Sequence, residues 1–399
     1  ITGNTVAQII PISISPILTR IYTPEDFGIL GIYIAIMAIL SSFSNGQYHI
    51  AIVLPVNSEK AYSLAALSLI INTFISISLL LFVIIFHKNI IQLTGNNDLN
   101  IILYLIPLSF FILGIYNIYT YLCTREKKYS KISNSIILRT LSTSVLQVCS
   151  GLLRKDALFL ILGNIIGFLL STIYLIRKFK INKIIVFNTL NILNVAKRYS
   201  DFPKINIFNN LLYNLSQYLV HVFITFTYEI KYVGFYTLIQ RIMLTPTSII
   251  GKSISQVFFQ HMKDSQKFNN QKKIFFETLK ILIIISGIIF SIIYIYIEDI
   301  FLILFGENWI EAGEMAKILI PLFFTQFIRS SINTITMIYE KQKEQMFINL
   351  AMLFVIILVF SYSYLLNVEI KEMLTIFTFI LSLINISIII YYSKLIRSK

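Results

Sequence analysis

Two basic and two hydroxyl side chains recur at helical spacing within one predicted membrane segment, residues 232–258. Arg241, Thr245, Ser248 and Lys252 stand 4, 3 and 4 residues apart, which places them on one face of an α-helix. The segment contains no acidic residue to neutralise the two cations, so they require an anion or a water-filled lumen. Arginine presents a planar fork of donors that suits phosphate or pyrophosphate. We therefore predict an anion-binding face, with structural pairing elsewhere in the chain as the alternative.

A second polar face consists of amides and one histidine. Segment 203–227 carries five polar residues at spacings of 4, 4, 3 and 4: Asn206, Asn210, Asn214, Gln217 and His221. Segment 3–19 repeats part of this stripe at an offset of 206, with Asn4, Gln8 and Ser15. We expect both stripes to line a hydrated cavity, where amides would contact sugar hydroxyls and His221 would be a hydrogen-bonding residue. Hydrogen bonding between helices is the alternative for the amides, and proton relay is the alternative for the histidine.

Three further basic residues fall inside apolar segments. Arg139 stands alone in its segment, whereas Arg329 shares a helix face with Gln326 and Asn333. Both arginines are candidates for anion contact, with structural pairing again as the alternative. Lys280 follows Glu277 near the start of its segment, so we expect its side chain to extend to the membrane surface.

The composition restricts the class of protein that can hold these residues. The chain has 399 residues, of which 56% are hydrophobic and 13% charged, and a water-soluble protein could not bury that much apolar surface. The cysteines, Cys123 and Cys149, lack metal or redox spacing, and no metalloprotease, phosphate-loop or dinucleotide motif occurs. Thr23-Pro24-Glu25-Asp26 could imitate a catalytic acid pair, but it is typical of a helix cap and first turn. We predict no catalytic residue, metal or cofactor.

Apolar runs separated by short polar breaks predict a polytopic helical membrane protein. If the N-terminus is cytoplasmic, the cytoplasmic breaks and tail carry 21 Lys and Arg and the opposite breaks carry seven, so both termini are predicted inside. The net charge of +14 is then largely topological and predicts no nucleic-acid partner. The twelve predicted membrane segments are 3–19, 28–48, 61–86, 101–123, 132–153, 157–176, 203–227, 232–258, 275–297, 315–338, 346–366 and 373–393.

An internal repeat relates the two halves of the chain. Tyr22 to Gly28 corresponds to Tyr228 to Gly234 at an offset of 206, and Leu105-Ile-Pro-Leu108 recurs as Leu319-Ile-Pro-Leu322 at an offset of 214. Six segments in each half give the halves the same orientation, which predicts a parallel repeat typical of alternating-access transporters. We predict an N-terminal lobe at 1–180, a cytoplasmic linker at 181–202 and a C-terminal lobe at 203–399.

Several short stretches spread over the chain carry a family resemblance. They are Leu18–Gly28, Asp201–Pro203, Val233–Tyr236, Ser253–Phe258, Leu304–Trp309 and Ala316–Pro321. With them the sequence resembles the Wzx-type polysaccharide flippases, polysaccharide transporters of the MOP superfamily that also holds lipid II flippases and MATE multidrug transporters. The resemblance implies an all-α integral membrane protein with twelve transmembrane helices in two six-helix lobes around a central cavity. Related flippases place arginines on the first and eighth helices, which Arg241 fits and which makes Arg20 a candidate.

The function that this resemblance implies is transport and not catalysis. The expected substrate is an undecaprenyl-pyrophosphate-linked oligosaccharide, moved across the bacterial inner membrane for O-antigen, lipopolysaccharide or capsule synthesis. Membrane lipids, a polysaccharide polymerase and a chain-length regulator are the expected partners, and a proton or sodium gradient would bias the cycle. A MATE-type drug or ion antiporter is one alternative, but we expect it to need an intramembrane carboxylate. A membrane glycan polymerase is the other, and would need a larger outer loop.

Overall fold

The computed structural model describes residues 2–94, 99–179, 189–264, 268–339 and 341–397. Within these ranges the chain is almost entirely helical and contains no β-strand. Fourteen α-helices follow one another in these ranges: α1 (Thr2–Ile21), α2 (Pro24–Ser41), α3 (Ser58–Thr94), α4 (Leu99–Arg125), α5 (Tyr129–Leu153), α6 (Ala157–Lys178), α7 (Thr189–Arg198), α8 (Ile207–Thr227), α9 (Ile230–Asp264), α10 (Phe268–Phe305), α11 (Ile310–Ile332), α12 (Ile335–Ile338), α13 (Gln342–Leu366) and α14 (Ile370–Arg397).

Each of the twelve predicted segments overlaps one long helix. Of the two short helices, α7 lies outside the predicted segments and α12 lies within segment 315–338. Among the described residues, nine helices are long and apolar enough to cross a membrane. Those nine do not include α1, α8 or α9. Because α8 and α9 have 21 and 35 residues, polar side chains and not length set them apart. The prediction of an all-α membrane protein is confirmed, and the three long helices outside these nine are those with the predicted stripes.

Contacts divide the chain into two compact units, Ile1–Phe226 and Thr227–Lys399. In the first unit, α5 packs against α1 and α6, and α3 packs against α4. In the second unit, α11 packs against α9, α10 and α14. The predicted lobes at 1–180 and 203–399 follow the internal repeat and not these contacts, so they stay a prediction. Of the predicted linker, residues 181–188 lie outside the described residues.

The second helix begins with a complete capping box. The backbone nitrogen of Thr23 donates to Asp26 Oδ2 at 2.9 Å, and the backbone nitrogen of Asp26 donates to Thr23 Oγ1 at 3.3 Å. Pro24 occupies the first helical position, where its missing N–H costs no hydrogen bond. Asp26 therefore serves as the cap partner of α2, as the sequence pattern indicates.

The segment after α2 differs from the prediction of a helix over 28–48. α2 ends at Ser41, and Ser44–Val53 forms a buried 3-10 segment that is interrupted at Asn45, Gly46 and Gln47. Those three residues have φ angles of 57°, 55° and 61°, in the left-handed region that breaks an α-helix. Asn45 Nδ2 donates to the carbonyl oxygen of Gly114 at 3.1 Å, which ties the segment to α4. The Asn-Gly pair is the sequence signal for this break.

The internal repeat is visible in matching side-chain contacts. Tyr22 donates its hydroxyl hydrogen to the carbonyl oxygen of Gln147 on α5 at 2.8 Å. Tyr228, its counterpart, hydrogen bonds with Ser363 on α13 and donates to the carbonyl oxygen of Val368 at 2.8 Å. Because α5 and α13 are the fifth predicted segments of their halves, equivalent tyrosines contact equivalent helices.

Candidate substrate-binding site

Arg241 lies in the first half of α9. Its side chain is half-buried, and within the described ranges its guanidinium has neither a hydrogen bond nor an ion pair. Ser248, on the same face, donates to the carbonyl oxygen of Thr245 at 2.9 Å, whereas Lys252 is exposed. A half-buried guanidinium with five donors needs water or an anion as its partner. Arg241 therefore keeps the properties expected of an anion contact.

Arg139 on α5 is held by two aromatic rings. Its guanidinium carbon lies 4.5 Å from the ring centroid of Phe168 and 5.5 Å from that of Tyr116, and the two rings are arranged edge to face. The side chain is half-buried, and no carboxylate of the described chain pairs with it. Cation–π contacts contribute only about 0.5–2 kcal/mol and use none of the N–H donors. The rings therefore orient the guanidinium and leave its donors available.

The remaining predicted cations differ from these two. Arg329 is half-buried and donates from Nη1 to the sulfur of Met352 at 3.1 Å, so its guanidinium already has a protein contact within the second unit. On the same face, Asn333 accepts a hydrogen bond from the hydroxyl of Tyr392 at 2.9 Å. Arg20 is exposed in the last turn of α1, and Lys280 is exposed on α10. Their roles toward a substrate stay predictions.

The amide stripe on α8 is partly engaged by the protein. Asn210 Nδ2 donates to Gln47 Oε1 at 2.9 Å, and Asn214 Nδ2 donates to Ser42 Oγ at 2.9 Å. His221 is buried, 2% exposed, with its ring 5.9 Å from that of Tyr218. Three other residues of the two polar stripes have half-buried side chains: Asn206, Gln217 and Gln8. The side chain of Asn4 lies outside those that the structure describes.

The acceptors of these two amides lie in segment 28–48, which the sequence predicts to be helical throughout. Gln47 also donates from Nε2 to the carbonyl oxygens of Ser42 at 2.8 Å and Ser41 at 3.3 Å, because α2 has ended there and its last carbonyls need donors. Ser42 and Gln47 are thus the polar partners that sequence reasoning missed. The amide nitrogens of Asn210 and Asn214 therefore donate to other parts of the protein, which is the alternative to lining a cavity.

Comparison with solved structures identifies the fold. The chain superposes on the lipid II flippase MurJ in an inward closed conformation with a TM-score of 0.74 and 12% identity, covering 98% of this chain and 87% of that one. It superposes on an inward-facing MATE family multidrug resistance transporter of the MOP superfamily with a TM-score of 0.70 and 12% identity, covering 99% and 94%. The chain therefore has the helical fold of this class of membrane transporter.

The sequence itself assigns the family within this class. The model of the family described as polysaccharide biosynthesis protein matches residues 17–314. The chain belongs to this polysaccharide biosynthesis protein family. A search of curated proteins finds no match.

Proposed function

We propose that the protein is a flippase that moves an undecaprenyl-pyrophosphate-linked oligosaccharide across the bacterial inner membrane by alternating access. The observation that carries the proposal is Arg241, a half-buried guanidinium that no described group of the chain pairs. A pyrophosphate offers the charge and the oxygen fork that a guanidinium binds best. Membership of a polysaccharide biosynthesis family and the fold shared with a lipid II flippase support a lipid-linked saccharide as cargo.

In this proposal different side chains bind different parts of the cargo. Arg241 contacts the pyrophosphate, with Arg139 as the second cation and Arg329, Lys252 and Arg20 as auxiliary ones. Gln217, Asn206, Gln8 and Asn4 face sugar hydroxyls, which are neutral and bind amides without a change of protonation. No bond of the cargo is made or broken, and a proton or sodium gradient biases the cycle. Both termini are cytoplasmic, and a polymerase and chain-length regulator extend the exported units into O-antigen, lipopolysaccharide or capsule.

The experiment compares Arg241→Ala and Arg241→Lys with Lys280→Ala, which removes an exposed cation from α10. Each variant is expressed in a strain deleted for the gene, and surface polysaccharide and cytoplasmic-leaflet lipid-linked glycan are measured together with the amount of protein in the membrane. We expect Arg241→Ala to abolish export and accumulate the lipid-linked glycan, Arg241→Lys to retain part of the export, and Lys280→Ala to export normally. Normal export by Arg241→Ala at wild-type protein levels would refute the proposal.

The shared fold with an inward-facing MATE transporter makes drug or ion antiport the second candidate. Such a transporter needs a carboxylate within the membrane to bind its cation. In the described ranges the acidic residues stand in loops or in the outer third of a helix, as Asp156 and Glu344 do at the starts of α6 and α13 and Glu277 does in α10. Drug resistance that depends on this gene, with unchanged polysaccharide, would favour antiport.

A further inference from the structure

A partly open cavity of about 270 Å³ lies within the first unit, between α2, α4 and α6. Its wall is predominantly apolar and includes Met37 and Ala38 of α2, Ile112 of α4, and Ile165 and Phe168 of α6. The volume corresponds to roughly nine water molecules in the liquid, at about 30 Å³ each. That is room for a segment of one hydrocarbon chain.

The few polar side chains in the wall are already bonded within the chain. Tyr33 donates its hydroxyl hydrogen to Ser109 Oγ at 2.8 Å, and Ser109 donates onward to the carbonyl oxygen of Leu105 at 2.7 Å. Ser41 Oγ donates to the carbonyl oxygen of Ala38 at 2.6 Å, and Asn164 Nδ2 donates to that of Leu160 at 3.3 Å. Since water in a buried cavity needs two to four polar partners, this wall favours hydrocarbon over water or sugar.

A cation contacts one residue of the cavity wall. Phe168 lines the cavity with its side chain and also lies under the guanidinium of Arg139, 4.5 Å from ring centroid to carbon. Tyr116, the second ring contacting Arg139, follows the cavity residue Ile112 by one helical turn. An apolar slot therefore adjoins an oriented guanidinium whose donors no described group uses.

Together these features match an amphipathic anion with a single apolar chain. We propose that the cavity and Arg139 bind the phosphate-proximal part of a polyprenyl phosphate, with the first isoprene units between α2, α4 and α6 and the phosphate on the guanidinium. The proposal rests on the proposed function, because a lipid-linked cargo supplies such a chain. It adds a place for the apolar part of the cargo that the cationic side chains alone do not provide.

The test uses purified full-length protein and four probes: farnesyl phosphate, farnesol, inorganic pyrophosphate and a two-chain phosphatidic acid. Binding is measured at equilibrium for wild type, for Ala38→Leu, which fills the cavity, and for Arg139→Gln, which removes the cation. Lys155→Gln is the matched control, because Lys155 is an exposed cation between α5 and α6. Met37→Ala is a second cavity variant, used in case Ala38→Leu disturbs folding. It removes contacts from the cavity wall and adds no side-chain volume.

We expect farnesyl phosphate to bind most tightly. Arg139→Gln should weaken its binding about 10- to 100-fold, because hydrogen bonds to charged groups contribute about 1.5–3 kcal/mol. Farnesol should bind more weakly and be unaffected by Arg139→Gln, and both cavity variants should weaken farnesol and farnesyl phosphate alike. Pyrophosphate alone should bind least, and Lys155→Gln should resemble wild type.

Three results would overturn the proposal. They are unchanged farnesyl phosphate binding in both cavity variants, unchanged binding in Arg139→Gln, and phosphatidic acid binding as tightly as farnesyl phosphate, which would make the cavity a site for ordinary membrane lipid. The export experiment on Arg241 separates this proposal from the function. If export needs Arg241 but farnesyl phosphate does not bind, the cavity proposal alone is refuted. If farnesyl phosphate binds but export does not need Arg241, the cavity site stands and the flippase function is refuted.

Discussion

The hydrogen bond between Asn210 on α8 and Gln47 can be tested by a double-mutant cycle. Gln47 is 3% exposed, accepts from Asn210 at 2.9 Å, and donates to two carbonyl oxygens at the end of α2, those of Ser41 and Ser42. If the bond holds α8 against this segment, replacing either residue by alanine should make the second replacement less costly. If Asn210 instead serves only a cargo, the two replacements should be independent.

The structure sets the size of the effect. Hydrogen bonds between membrane helices average about 0.6 kcal/mol and reach about 1.7 kcal/mol. The coupling between Gln47→Ala and Asn210→Ala should fall in that range. Gln47→Ala alone loses three such bonds, so it should lower the free energy of unfolding by about 2 kcal/mol. Asn210→Ala should cost correspondingly less in the Gln47→Ala protein than in wild type.

Two cysteines provide the assay. Cys123 on α4 is fully buried in the first unit, whereas Cys149 is exposed. In a Cys149→Ser background, a maleimide dye reacts only when the first unit opens and exposes Cys123. When opening and closing are fast relative to labelling, the rate reports the open population, and a coupling of about 0.6–1.7 kcal/mol corresponds to about a 3- to 20-fold change.

The control is Asn209→Ala, which removes the neighbouring exposed amide from the same helix. It should change the labelling rate little and show no coupling to Gln47→Ala. Strictly additive effects of Gln47→Ala and Asn210→Ala would refute the structural role assigned to this bond, and would return Asn210 to the set of cargo contacts.

Two further outcomes follow from tight or matched contacts. A Cβ atom at Gly167 would collide with Thr143 Oγ1 and lie 2.9 Å from the carbonyl oxygen of Arg139, so Gly167→Val should lower the free energy of unfolding by about 1–3 kcal/mol and weaken farnesyl phosphate binding; normal values for both would contradict the packing of α5 on α6. Tyr22→Phe and Tyr228→Phe should each lower the free energy of unfolding by about 1 kcal/mol, because each removes a hydroxyl donor from the fifth helix or the following turn of its half. Markedly unequal losses, measured by detergent denaturation, would count against the structural repeat.

The class of the protein followed from sequence because lipid leaves few choices to a spanning chain. Every backbone polar group must be bonded internally there, so a run of about 20 apolar residues becomes a helix. The predicted segment 61–86 and α3, and likewise 101–123 and α4, differ only at their ends. The cap at Thr23 was equally local, because its partner Asp26 is three residues away. The cationic face of α9 could be located by spacing for the same reason.

Side-chain partners that are distant in sequence could not be found in this way. The stripe on α8 was predicted from spacing, but nothing in its residues shows that Asn210 and Asn214 bond to Gln47 and Ser42, more than 160 positions earlier. A buried non-helical segment was needed to supply those acceptors, and its only local signal was Asn45-Gly46. An amide on a polar face serves a cargo or another helix equally well, and the choice depends on what packs opposite it.

Periodicity and charge by themselves determined that this chain is helical, that it lies in a membrane, and which of its helices carry cations without an acidic neighbour in the same segment, because those properties depend on neighbours within a few turns. Only the tertiary structure decided that Arg139 is oriented by Tyr116 and Phe168 and that α2, α4 and α6 leave an apolar space beside it. Rings and cavity walls come from helices that are far apart along the chain, and their packing, not their composition, creates the place for a ligand.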